Sequence, residues 1–374
     1  MGLHISSAFD SGNIIVDSSD DPSDIRLQIR NDADSDFLQW FHFRVTGARD
    51  TDLTLTITNA GDAAYLEGWP DYKVCASYDR EDWFRIPTAY ENGQLTIKLT
   101  PDADAIWLAY FAPYSMERHH DLIADACQSP LCSLDVLGST IDGQDIDKLT
   151  IGSPEPGKKN IWFIARQHPG ESMAEWWMEG AIERLLDPDD PISRKLLGNC
   201  VFHLVPNMNP DGSKRGHLRT NAKGVNLNRV WHDPQLATEP EVYHVRQAMI
   251  DTDCDFHLDV HGDEALPYVF LAGYESIPSL TDAHLADFHR YQDLLVAETP
   301  DFQKVYGYDL DPPKSSDLKK CTEWTAEQFG CFAATLEMPF KDNADLPDED
   351  QGWSPERSRQ LARDCIGALL KWLG

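Results

Sequence analysis

The sequence predicts an α/β domain built on a largely parallel or mixed sheet with helices on both faces, preceded by an antiparallel β-sandwich. Three observations predict it. Up to about residue 118 the chain holds short apolar stretches of period two, separated by turn residues, with no clear helical segment. From about residue 119 continuous apolar runs of strand length alternate with segments of helical period. At 374 residues the chain exceeds what one ordinary hydrophobic core holds, so a division into residues 1–118 and 119–374 is expected.

Within the first part, Leu3, Ile5 and Ile14-Ile15-Val16 have the character of strand residues. The alternating or nearly alternating runs that follow are Leu38–Val45, Leu53–Ile57, Lys73–Tyr78, Leu95–Leu99 and Ala105–Tyr110. Asn31-Asp32, Asn59-Ala60-Gly61 and Asn92-Gly93 punctuate them as turns. Met1-Gly2 with Ser6 fits a loose acylation pattern, read as a chance match because no basic patch accompanies it.

The second part opens its regular alternation with Ile161–Ala165, a buried strand. Residues 171–186 read as a helix, with Met173, Trp176, Trp177, Ala181 and Leu185 on one broad face. Cys200–Val205 is a strand, 239–251 a helix, and Asp255–Val260 and Tyr268–Leu271 are strands. Residues 280–298 are helical and Ala333–Met338 is a strand. The last helix starts at Ser354 as cap, with Pro355 in the first turn and a stripe of Leu361, Cys365, Leu369 and Trp372.

Composition narrows the function. Apolar residues make up 41% of the chain, enough for packed cores. Sixty-three acidic residues against 32 basic ones give a net charge of −31, which excludes nucleic acid and anionic membrane surfaces as partners. No stretch approaches the ~18 apolar residues of a membrane span, and the start has no secretory character. The eight cysteines form no CxxC pair and read as buried free thiols, so a cytoplasmic setting is expected.

Four segments carry chemistry. Arg166-Gln167-His168-Pro169-Gly170-Glu171 leaves a buried strand and opens a helix, where sites of open α/β sheets lie. Pro169 and Gly170 set a bend that lets His168 and Glu171 converge on one cation. On its own, HxxE is better read as an ordinary strand–helix loop. Leu258–Asp263 places His261 at the end of a second apolar strand, and with the first motif it supplies a third ligand. Two His and one Glu leave the fourth zinc position open, a ligand set known from zinc peptidases. Asp259 either orients a ligand or faces solvent. The third segment runs from Asn207-Met208-Asn209-Pro210-Asp211-Gly212 to Arg219–Arg229 and reads as a long ordered loop. Its two arginines, Arg219 and Arg229, suit a terminal carboxylate or a developing oxyanion. In the fourth, Glu337 ends an apolar strand, where a carboxylate can take a proton from a metal-activated water.

In chain order these pieces resemble the zinc metallocarboxypeptidase family. HPGES, RxNxxGxxLNR and the upstream sandwich are similar to its cytosolic carboxypeptidase branch, over nearly the whole chain. The resemblance implies one zinc on His168, Glu171 and His261, and Glu337 as general base. It implies Arg219 on the scissile carbonyl, Asn228 and Arg229 as the clamp for the terminal carboxylate, and a sandwich that carries no catalysis. The implied substrate is a peptide or protein C-terminus. In pancreatic-type members a tyrosine closes over the substrate; here Tyr306 and Tyr308 are both candidates and the role stays unassigned. Relatives that trim glutamate tails, with Lys314, Lys319, Lys320, Lys214 and Arg215 as a basic patch, suggest an acidic terminal residue. The competing expectations are an N-acyl amino acid deacylase or amidase on the same fold, and a binding module with a vestigial site.

Overall fold

Strands form where the sequence alternates. The computed structural model describes residues 2–374; Met1, on which the acylation pattern begins, lies outside the described residues. The strands of the first part are β1 (His4–Ser6), β2 (Ile15–Ser18), β3 (Ile25–Gln28), β4 (His42–Thr46), β5 (Leu53–Ile57), β6 (Val74–Ser77), β7 (Phe84–Ile86), β8 (Thr88–Glu91), β9 (Gln94–Leu99) and β10 (Ala105–Ala109). They build two five-stranded sheets, ordered β1-β4-β10-β6-β7 and β2-β3-β5-β9-β8. In β5, Leu53, Leu55 and Ile57 are buried while Thr54 and Thr56 are half-buried, the period of two that the sequence shows. One ladder departs from the antiparallel expectation: β3 and β5 run parallel, Ile25 opposite Leu55. Between them the chain makes β4 in the other sheet, and such a crossover returns it in the same direction, as a hairpin cannot.

The second part contains β11 (Cys132–Ser139), β12 (Asp145–Ile151), β13 (Lys159–Ala165), β14 (Cys200–Val205), β15 (Phe256–Asp263), β16 (Phe270–Ala272) and β17 (Phe332–Pro339), ordered β11-β12-β14-β13-β15-β17-β16. The four central strands are parallel, and β11, β12 and β16 join antiparallel, so the sheet is mixed. Its helices are α1 (Met116–Ala126), α2 (Met173–Leu186), α3 (Pro191–Asn199), α4 (Pro210–Arg215), α5 (Pro240–Thr252), α6 (Asp282–Glu298), α7 (Cys321–Phe329) and α8 (Pro355–Leu373). The third segment is therefore not all loop. Asn209 caps α4 by accepting from Gly212 N (3.1 Å), and Pro210 fits its first turn. Six residues are too few to show a helical period.

Residue parity along β13 explains the two-sided covering. Ile161, Phe163 and Ala165 belong to one apolar cluster with Trp177 of α2 and Leu361 of α8. Trp162 and Ile164 belong to the other, with Val242 of α5 and Trp324 of α7. Each fully buried side chain of this kind contributes about 1.5–3 kcal/mol. The sandwich shares the first cluster, through Phe41 and Leu55 among others, and Tyr110 stacks on Phe340 (4.7 Å). Among the described residues no helix is long and apolar enough to cross a membrane.

Candidate active site

Strand order reverses between β13 and β15: from β13 the chain moves to β14 on one side and then to β15 on the other. The carboxyl ends of β13 and β15 thus flank a topological switch point, where ligands bind in open α/β sheets. His168 follows β13 and His261 lies near the end of β15.

The turn after β13 is held by Arg166, which has φ +62°, unusual for a side chain of that size. Its Nε donates to Pro169 O (2.9 Å) and its Nη1 to Tyr114 O (2.8 Å) and Glu175 Oε2 (2.6 Å), all in the interior. Gly170 is needed for close approach, since a Cβ there would lie 2.9 Å from Leu218 O. His168 Nδ1 then sits 2.6 Å from Glu171 Oε1, and His261 Nδ1 sits 2.7 Å from Glu171 Oε2. The two Nδ1 atoms are 3.2 Å apart.

These three buried residues offer ligand atoms within 4.8 Å of one another. Two imidazole nitrogens facing each other across a carboxylate suit one shared cation. The donor set of two nitrogens and one oxygen fits zinc with a fourth position left open. Burial, with Arg219 second, pushes the His168 pKa down to about 4, so its ring is held neutral as a ligand must be. Burial would raise the pKa of Glu171, but His168 and His261 outweigh it and keep the carboxylate ionised. Burial would lower that of His261; Asp259 and Glu171 outweigh it and raise it well above the ordinary range. Outer partners are in place. Asp259 Oδ1 lies 2.9 Å from His261 Nε2, at ion-pair distance without hydrogen-bond alignment, and Asn226 Oδ1 lies 3.1 Å from His168 Nε2. Asp259 is fully buried, so of its two readings the solvent-facing one fails.

Parallel pairing of β15 and β17 sets Glu337 directly beside His261. Its Oε2 is buried without a hydrogen-bond partner, and its Oε1 accepts from the Tyr308 hydroxyl (3.1 Å). Burial pushes the Glu337 pKa well up, with His261 pulling against it. The Tyr308 hydroxyl shares its one proton between Glu337 and the nearer Asp263 Oδ2 (2.7 Å), whereas Tyr306 stacks on Tyr268 (4.3 Å) away from this cluster. Of the two candidate tyrosines, Tyr308 is the one the fold brings to Glu337.

Arg219, Asn228 and Arg229 line the same cavity of about 470 Å³ as His168, Glu171, His261 and Glu337. Arg219 Nη1 is 3.9 Å from Glu171 Oε1, and its guanidinium packs over Tyr65 (5.3 Å) and Phe37 (5.8 Å). Arg229 Nη1 donates to Asn228 O (2.6 Å), and Asn228 Oδ1 accepts from Cys321 N (2.8 Å). Of the five basic residues grouped from sequence, Lys320 alone lines this cavity, paired with Glu323 Oε1 (3.0 Å) and Asp311 Oδ2 (2.9 Å). Lys214 and Arg215 lie on α4, with Arg215 paired to Asp142 (2.7 Å); Lys319 pairs with Asp317 (2.7 Å), and Lys314 is exposed. The acidic-tail patch therefore shrinks to one lysine, because neighbouring carboxylates hold others elsewhere. Glu264 and Tyr65 also line the cavity and had no signal in sequence: Glu264 follows an already assigned motif, and Tyr65 comes from the sandwich.

Comparison with known proteins agrees with this geometry. Residues 5–111 match the model of the cytosolic carboxypeptidase N-terminal domain, and residues 116–362 that of zinc carboxypeptidase. A solved metallocarboxypeptidase from Burkholderia cenocepacia is 47% identical, with 99% of each chain covered and a TM-score of 0.97. A second, from Pseudomonas aeruginosa in complex with (2-guanidinoethylmercapto)succinic acid, is 43% identical over 99% of each chain, TM-score 0.96. Cytosolic carboxypeptidase 6 of Caenorhabditis elegans is 27% identical, covering 90% of this chain and 79% of its own. Matched in both parts and superposable along its length on solved metallocarboxypeptidases, the chain belongs to the zinc carboxypeptidase family, hydrolases that work with a single catalytic zinc, in its cytosolic branch.

Proposed function

We propose that the protein removes the C-terminal residue of peptides or proteins, with zinc held by His168, Glu171 and His261. The supporting observation is the cavity that gathers these ligands, a carboxylate with one unpartnered oxygen and two arginines. Zinc bound there supplies a Lewis acid that acidifies water and polarises a carbonyl. The chain's own residues do the rest. Arg229 and Asn228 hold the terminal carboxylate, which selects a chain end over an internal bond. Arg219 donates to the carbonyl oxygen as negative charge develops on it. Glu337 takes a proton from the attacking water and gives it to the departing nitrogen. Tyr308, anchored by Asp263, covers the substrate and orients Glu337. The working place is the cytosol, as the names of relatives suggest.

The leaving residue is acidic on this reading, with Lys320 as its partner. A second reading has its own support: Glu323 lies in the same wall, and the Pseudomonas relative binds a molecule with a guanidino arm, so a cationic residue is the competing choice. Peptides that differ only in the last residue (Glu, Arg, Leu) separate the two. The function itself is tested with one peptide carrying a free or an amidated C-terminus. Release of a single residue from the free form only is expected. Equal cleavage of both, or turnover of N-acyl amino acids alone, would replace this reading with an amidase.

A further inference from the structure

Arg219 is held almost entirely by residues that precede the catalytic sheet. Its segment lies between α4 and the short turn Leu227–Arg229, in no regular element. Gly216 and Gly224 bound that segment at φ +71° and +72°. A segment of this kind has no regular ladder to pair its backbone N–H groups. Asn221, Lys223, Gly224 and Val225 pair within the segment, whereas Leu218, Arg219 and Thr220 share one side chain from outside it. Asp32, in the stretch between β3 and β4, accepts from Leu218 N (2.6 Å) on Oδ1. On Oδ2 it accepts from Arg219 N (2.8 Å), Thr220 N (2.9 Å) and Thr220 Oγ1 (3.1 Å). Three successive peptide N–H groups thus form a nest around one buried carboxylate, and such charge-assisted bonds are the stronger kind.

The backbone that carries this carboxylate is itself held, since Asp32 N donates to Phe37 O (2.8 Å). Phe37 is also one of the two aromatic rings under the Arg219 guanidinium; the other, Tyr65, belongs to the sandwich as well. Further bonds from the sandwich hold the flanks: Asn13 Nδ2 to Gly216 O (2.9 Å), Ala33 N to His217 Nε2 (3.1 Å) and Arg30 Nη2 to Arg215 O (2.9 Å). On the catalytic side, Gly170 N donates to Leu218 O (2.9 Å), which ties the segment to the His168–Glu171 corner. One portion of the interface between the two parts thus surrounds the arginine that faces Glu171.

We infer that the sandwich is part of the catalytic apparatus and that Asp32 is a positioning residue for Arg219. This rests on the role given to Arg219 above. Asn at position 32 keeps the shape but turns an NH₂ toward N–H donors, so the nest loses its anion and the arginine its fixed place.

The test is a double-mutant cycle in the full-length zinc enzyme: wild type, Arg219→Ala, Asp32→Asn and the double variant. For each, kcat, KM, zinc content and melting temperature are read. Arg219→Ala is expected to lower kcat by roughly 10²–10³, as for loss of one oxyanion donor. Asp32→Asn is expected to lower kcat by up to about 10² with little change in KM or zinc content, as for a misplaced catalytic group. The double variant should be no slower than Arg219→Ala alone. Lys73→Ala breaks a bond between the two parts away from the Arg219 segment (Lys73 Nζ to Glu349 O, 3.1 Å) and should keep wild-type kcat whatever it does to melting. Wild-type kcat in Asp32→Asn, or the same further loss in the Arg219→Ala background, overturns the inference. If Arg219→Ala keeps full activity, the role given to Arg219 fails instead. Should Asp32→Asn melt below the assay temperature, Thr220→Val removes one donor of the nest; it should lower kcat in wild type and not in Arg219→Ala, and an unchanged kcat contradicts the proposal.

Discussion

The chemistry of single residues here depends on which of their atoms lack partners. Glu337 keeps one oxygen unpartnered in the interior and gives the other to Tyr308. Removing that hydroxyl should loosen Glu337 and uncover the substrate without touching the metal ligands. Tyr308→Phe is predicted to lower kcat/KM by about tenfold or more, with unchanged zinc content, at the low end of what a positioned proton-handling group contributes. Equal kcat/KM in the variant would leave Tyr308 a bystander. At this scale the sequence was legible where a polar residue ended an apolar strand or opened the next turn: His168, Glu171, His261 and Glu337 all converge. It was illegible for Tyr308, whose stretch after Gln303 has no period to fix its alignment. Asp259 was ambiguous because a polar residue on a strand suggests an open face, whereas β15 is buried along its whole length.

Elements meet through buried polar links as well as apolar faces. His119 of α1 lies 2.6 Å from Glu175 of α2 and 3.4 Å from Asp147 of β12. Burial alone would lower its pKa from 6.5, but the two carboxylates outweigh burial and raise it to about 9. A raised folded-state value means that the charged form stabilises the fold. That contribution is complete below about 6.5 and is lost as pH climbs through about 9. Unfolding free energy of the wild type should therefore fall across this window, and His119→Gln should lack that part of the fall in denaturant titrations. Parallel slopes for the two proteins would contradict it. β5 and β14 were read from sequence to their ends, whereas the strands β11 and β12 were not read at all. The helices missed, α1, α3, α4 and α7, have six to eleven residues and few turns in which to display a stripe. The parallel β3–β5 ladder was hidden because strand character does not reveal strand direction.

On the scale of the whole molecule, a net charge of −31 opposes compaction. Raising salt from about 0.01 M to 0.15 M shortens the screening length from ~30 Å to ~8 Å, so the melting temperature should rise over that range. A falling melting temperature would show that attractive surface pairs dominate instead. Two parts were legible in the sequence as a change of texture, but their joint role was not. Asp32, Phe37 and Tyr65 carry no motif and gain meaning only when the fold lays them against Arg219. Among the described residues the second part holds a single candidate cation site with a carboxylate beside it. The most direct measurement is zinc per chain together with peptide turnover in wild type, His261→Ala and Glu337→Gln. One zinc is expected in wild type and in Glu337→Gln, with turnover nearly abolished in the latter, while His261→Ala loses both. Retained turnover in Glu337→Gln, or full zinc in His261→Ala, would contradict the account.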